Sequence, residues 1–143
     1  LLVSTINVFV AQRLVRKLCS VRGKYFLSKA ELVSLNKSVD MDRVLRLLKE
    51  EKIADEKDTW ETIPFFKPKA SPECPDGYSG RAGIHEVLRI STPLRELIMK
   101  GGTSEEIEKQ AKAEGMMTMI EDGIFKAAQG ITTIEEVLRV VTE

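Results

Sequence analysis

The chain has 143 residues, 43% hydrophobic and 31% charged, enough for one domain with its own core and the wrong composition for a disordered tail. Twenty-two Lys plus Arg balance 22 Asp plus Glu, so no net field draws the molecule toward nucleic acid or an anionic membrane. Its apolar runs fall short of the roughly 18 to 20 residues of a membrane span, and two cysteines, Cys19 and Cys74, without a signal peptide read as a reduced cytoplasmic protein rather than a disulfide scaffold.

Leu1 opens inside an apolar run with neither Met nor helix cap, which reads as a piece of something longer. Residues 1–12 have the apolar filling of a buried helix, and the alternation of Leu14, Arg16 and Leu18 with Arg13, Val15 and Lys17 predicts a strand over 13–18. Ser28 and Glu31 form a capping box that starts a helix through Leu35. Asp40 caps the next, where Met41, Val44, Leu45 and Leu48 make one apolar stripe over 41–51. A charged loop follows over 54–59. From Thr62 to Ala82 prolines and glycines crowd into a loop-rich finger, with 63–67 as an edge strand.

Alternation predicts a strand over 81–90 with Ala82, Ile84, Glu86, Leu88 and Ile90 on one face. Thr92 reads as an N-cap with Pro93 at the first helical position, and Gly101 as the stop. Thr103 with Glu106 is a second capping box, for a helix ending near Gly115. A third helix runs from Thr118 to Gln129, and a fourth starts at Thr133 with Glu136 closing its box. Four short helices thus read as a C-terminal bundle.

On the predicted strands Glu86 shares a face with Ile84 and Leu88, and Arg16 lies beside Leu14 and Leu18. An unpaired carboxylate there would be costly, so an Arg16–Glu86 pair is expected to register the two strands, with Arg81 as rival partner. His85 reads as a solvent-side strand residue. Met116, Met117 and Met119 read as core filler, with a docking patch as the alternative. Trp60, in an acidic loop, is a candidate contact for a partner.

Three stretches are more specific: AQRLVRKLC at 11–19, GYSGRAGIHEVL at 77–88, and EGMMTMIEDGIFKAAQGITTIEEVLRVV at 114–141. Together they resemble the C-terminal part of the hexameric secretion motor ATPases that assemble type IV pili and drive type II secretion. The resemblance covers roughly residues 1–22 and 70–143. Residues 23–69 resemble an elaboration of that family's finger.

The resemblance implies ATP and Mg²⁺ in the parent, held by a glycine-rich loop, its Lys and an acidic residue. The sequence has no G-x-x-x-x-G-K-[ST]: Gly23-Lys24 is followed by Tyr25, and Gly101-Gly102-Thr103 lacks a Lys. This chain is expected to have no cofactor of its own and no ATP hydrolysis by itself. Family members also carry two C-x-x-C pairs for one zinc ion. Cys19 and Cys74 stand where those pairs belong, but Arg22 and Ser71 replace their partners, and structural zinc wants four ligands. The expectation is therefore a finger without zinc, stabilised by packing and by its insert, with a metal bridging two chains as the alternative.

The resemblance further assigns Gln12, Arg13 and Arg16 of the QRLVR motif and the Gly80-Arg81 step to a nucleotide or subunit interface. The Arg16–Glu86 pair expected from alternation reads as lying near that boundary, with a static structural ion pair as the alternative. The full expectation is an α-rich α+β fold. Residues 1–22 form the edge of a RecA-like core, 23–80 a finger with a helical insert, and 81–143 a strand plus four short helices. Its implied partners are identical subunits in a hexameric ring, upstream N-terminal and P-loop domains, and the inner-membrane platform, at the cytoplasmic face of a bacterial membrane. Nucleic acid is not among them. The competing readings are a non-enzymatic adaptor that binds a motor and a winged-helix-like DNA-binding module over 25–66, against which the mixed charge argues.

Overall fold

The computed structural model describes residues 5–142. Val8–Leu18 (β1) and Tyr78–Arg89 (β4) pair antiparallel into a long two-stranded ribbon, with Gln12 opposite His85 and Ala11 opposite Glu86. Of the helix expected over 1–12, positions 1–4 lie outside the described residues, and Val8 to Gln12 are strand instead. Val8, Phe9 and Val10 favour an extended chain, and pairing with Val87 to Arg89 supplies the backbone partners a helix would have found internally.

β4 begins three residues earlier than expected. Near Leu18 the register shifts, because Ser79 and Gly80 together oppose Lys17 alone. Gly80 has φ +76°, a conformation that a β-carbon would strain, and it supplies the extra residue of this bulge.

Between the strands hangs an insert. Arg22–Tyr25 (β2) pairs antiparallel with Phe65–Pro68 (β3). Lys29–Asn36 (α1) carries the expected Ser28–Glu31 capping box, and Met41–Glu50 (α2) carries its Asp40 cap. The predicted stripe of α2 is buried through Met41, Val44 and Leu48.

After β4 come Thr92–Met99 (α3), Ser104–Ala113 (α4), Met119–Ala128 (α5) and Ile134–Thr142 (α6). The cap of α3 is Ser91, one residue before the expected Thr92, and its side chain accepts from the Leu94 amide. The four helices are two pairs rather than one bundle: α3 packs on α4, while α5 packs on α6 and both lie against the ribbon. The fold is thus mixed α and β, with six helices among the described residues and two small antiparallel sheets.

Two cores hold these parts. The larger joins the insert (Leu27, Met41, Leu48, Trp60, Phe65) to α5 through Ile124 and Ala127. Trp60 therefore belongs to the interior, not to a partner-facing loop. It is 5% exposed, stacks on Phe65 at 5.8 Å and donates its indole N–H to the Met41 carbonyl at 3.0 Å. The smaller core packs Val15 and Ile84 of the ribbon on Val137 and Val140 of α6.

The cysteines also depart from expectation. Cys19 and Cys74 form a disulfide, with Cα atoms 6.7 Å apart, because the end of β1 and the turn before β4 meet where the ribbon closes. Among the described residues no helix is long and apolar enough to cross a membrane.

Candidate functional site

The motif residues lie along the ribbon, and most are ties between it and the helices behind it. At its closed end Arg16 meets Glu136, not Glu86. The Arg16 amide donates to Glu136 Oε1 at 2.9 Å and its Nη2 donates to Oε2 at 2.8 Å. Arg139 adds bonds from Nε at 3.2 Å and from Nη2 at 3.1 Å. Glu136 is 2% exposed. Its amide takes the Thr133 cap, but its carboxylate is spent on the arginines rather than on closing a capping box. The Arg16 hydrogen bond, helped by Arg139 and opposed by burial, holds this carboxyl down to about 2.

Tyr78 completes the corner. Its ring lies 4.2 Å from the Arg16 guanidinium carbon, and its hydroxyl is 3.0 Å from Thr133 Oγ1. Thr132 donates its hydroxyl to the Arg16 carbonyl at 2.7 Å. One arginine of the QRLVR stretch thereby fixes β1, β4 and the start of α6 together.

Mid-ribbon, Gln12 Oε1 lies 3.0 Å from His85 Nε2. The His85 amide donates to Asp122 Oδ2 at 2.8 Å, and Lys126 reaches from α5 to the same oxygen at 2.9 Å and to the Gly83 carbonyl at 2.6 Å. His85, its side chain 39% exposed, stands on the solvent side as expected and at the edge of a polar network. The Lys126 amine also lies 3.4 Å from His85 Nδ1.

Glu86 caps α5 directly, accepting from the Met119 amide at 3.0 Å, where a carboxylate is favoured by the helix dipole. Its separation from Arg16 follows from the register, which sets Glu86 opposite Ala11 and Arg16 opposite Arg81. Arg13 donates from Nη1 to the Val140 carbonyl at 2.8 Å. Arg13 and Glu86 also border an open groove of about 460 Å³ with Glu108, Lys112 and Met119. Met116, Met117 and Met119 are half-buried around the start of α5. Gly80 is exposed in its bulge and Arg81 is exposed beside it.

Sequence reasoning missed Glu136, Asp122, Lys126 and Tyr78. Asp122 and Lys126 stand four apart on one helix face, a spacing that signals their own pairing, but nothing local points them at His85. The sequence lacks a phosphate loop, the two cysteines are bonded to one another, and the described residues hold no group of three or more His, Cys, Asp or Glu placed for a metal ion.

A family model described as "Type II/IV secretion system protein" matches residues 1–139. The chain is 35% identical over 142 residues to the type IV pilus assembly ATPase PilB of Pseudomonas aeruginosa, covering 99% of this chain and 22% of that protein. It is 38% identical over 143 residues to type II secretion system protein E of Xanthomonas campestris pv. campestris, covering 100% of this chain and 22% of that protein. With PilB of Thermus thermophilus the identity is 50% over 62 residues, 43% of this chain and 7% of that protein. The chain thus spans less than a quarter of the length of these relatives.

Proposed function

The chain belongs to the type II/IV secretion system protein family, and on that premise we propose that it is the C-terminal part of a ring ATPase that powers type IV pilus assembly or type II secretion. The observation that carries this reading is the ribbon. The helix side is bonded to α5 and α6 through Arg16, His85 and Glu86. Elsewhere Val8, Phe9, Val10, Leu14 and Val87 remain 42% to 63% exposed. A two-stranded ribbon so bare of cover fits the edge of a larger sheet.

In this reading the upstream part supplies a RecA-like core with the P-loop, Mg²⁺ and ATP, and the ribbon continues its sheet. Arg16 and Glu86 act as positioning residues that make ribbon and helices one rigid body. Arg81, exposed beside the bulge, faces the nucleotide edge or a neighbouring subunit of a hexamer, so that hydrolysis is expressed as rigid-body rotation. The ring works at the cytoplasmic face of the inner membrane against the platform of the pilus or secretion machine.

The test is ATP turnover by the P-loop core of the same reading frame, expressed separately, with and without this chain in excess. Stimulated turnover, lost with Arg81→Ala while the complex still forms, is the expected result. Unchanged turnover in a demonstrated complex would overturn the coupling role, and failure of the two parts to associate would overturn the shared sheet.

A further inference from the structure

Cys19 and Cys74, 55 positions apart, are bonded across the stem of the insert. The stem does not depend on that bond alone. The Cys19 amide donates to the Gly77 carbonyl at 3.0 Å, the Gly77 amide donates to the Cys74 carbonyl at 3.0 Å, and Ser71 pairs with Cys74 through its backbone. The insert has its own anchors: the core shared with α5, Arg22 on the Gly130 carbonyl and Arg43 on the Met116 carbonyl. Breaking the sulfur bond thus leaves the surrounding contacts in place.

The two sulfurs differ in access. Cys74 is 4% exposed, while Cys19 is only partly buried, so an external thiolate is directed to Cys19. Cys74 Sγ also lies 3.2 Å from the Tyr78 carbonyl oxygen. A disulfide sulfur has no proton to share across that distance, whereas a thiol does. The released Cys74 thereby finds a partner without moving.

We propose that Cys19–Cys74 is a reversible redox staple, opened and closed by low-molecular-weight thiols and disulfides of the glutathione type. In opening, an external thiolate attacks Cys19 Sγ and forms a mixed disulfide, and the Cys74 thiolate leaves and takes up a proton. A second external thiolate then attacks the external sulfur of the mixed disulfide and frees Cys19, which is protonated in turn. The protein gains two electrons and two protons, and two external thiols become one external disulfide. Closing is the reverse.

The staple controls the corner beyond it. The turn ending at Gly77 leads straight into Tyr78, which carries the Arg16 guanidinium on its ring and meets Thr133 at the start of α6. Closing the staple restrains the end of β4 against which Arg16 and α6 are set, and opening it loosens that end while the cores persist.

The test equilibrates the full chain in buffers spanning reduced to oxidised glutathione, counts thiols by maleimide mass shift after acid quenching, and measures amide exchange in both forms. The expected result is one transition between two thiols and none. Both forms stay folded, with several-fold faster exchange over residues 71–81 in the reduced form. A Cys19→Ser, Cys74→Ser double variant should show the amide exchange of the reduced form in every buffer. Two free thiols throughout the oxidised range, unchanged exchange after reduction, or global unfolding on reduction would each overturn the proposal.

Discussion

Arg16 and Glu136 stand 120 residues apart in sequence, yet Glu136 accepts both the backbone amide and the guanidinium of Arg16, at 2.9 and 2.8 Å. The contact joins the first described strand to the last helix. Glu136 is 2% exposed and is held by several donors at once, whereas the Arg16 side chain is 46% exposed.

Replacing Glu136 with Ala should therefore cost more than replacing Arg16 with Ala. Glu136→Ala removes the acceptor of two arginines and one backbone amide and leaves a void, a loss of about 3 kcal/mol. Arg16→Ala removes a half-exposed guanidinium but keeps the residue-16 amide and Arg139 on the carboxylate, a loss of about 1 kcal/mol. Urea unfolding of both variants checks the order, and equal losses would contradict the account.

The same contact sets a pH dependence. The folded carboxyl lies near 2 against its ordinary 4.5, so its contribution is fully present above the unfolded value and is lost as pH falls from the upper value toward the lower. Unfolding free energy of the parent chain should decline over that window more steeply than that of Glu136→Gln, which has no proton to take up at this position. Parallel curves would contradict it.

Trp60 reports on the insert. Its ring stacks on Phe65 and its N–H is bonded to the Met41 carbonyl, so Trp60→Ala should cost about 3 to 5 kcal/mol. Far-ultraviolet circular dichroism against urea measures the loss. In the parent chain this sole tryptophan should shift its emission to the red on unfolding.

Local signals were legible and long-range ones were not. Ser28, Asp40 and Thr103 announced their helices because a cap and its amide lie within one turn. The stripe of α2 and the inward Ile84 of β4 followed from period alone. Val8 to Gln12 were misread as helix because their partners lie more than seventy positions downstream. Alternation brought Arg16 and Glu86 to facing strands, but the register separates them and the true partner comes from α6. The site residues of β1 and β4 could thus be picked out from a motif, while their bonding to α5 and α6 required the fold.

Gly123 tests how closely α5 and α6 pack. Ala is the better helix former by about 1 kcal/mol, so propensity alone predicts that Gly123→Ala stabilises. A β-carbon there would collide with both methyl groups of Val137, and both residues are buried between helix and ribbon. Overpacking should win, with a net loss of about 1 to 3 kcal/mol. A combined Gly123→Ala, Val137→Ala variant should recover part of it, and stabilisation by the single change would show that α6 yields.

Phe9 and Val10 separate folding from assembly. They are 48% and 63% exposed, while their backbones are paired with Leu88 and Val87. Phe9→Lys and Val10→Lys alter side chains outside both cores and keep the strand, so each should change the chain's own stability by no more than about 0.5 kcal/mol. If the ribbon continues the sheet of an upstream core, the same changes place a charge where apolar surface is to be covered, and association with that core should weaken severalfold. Thermal melts of the chain alone and titration against the P-loop core measure the two quantities on the same variants. Normal melts with lost association assign the bare ribbon to the junction. Normal melts with undiminished association would leave it as open surface and move the junction to the groove bordered by Arg13 and Glu86.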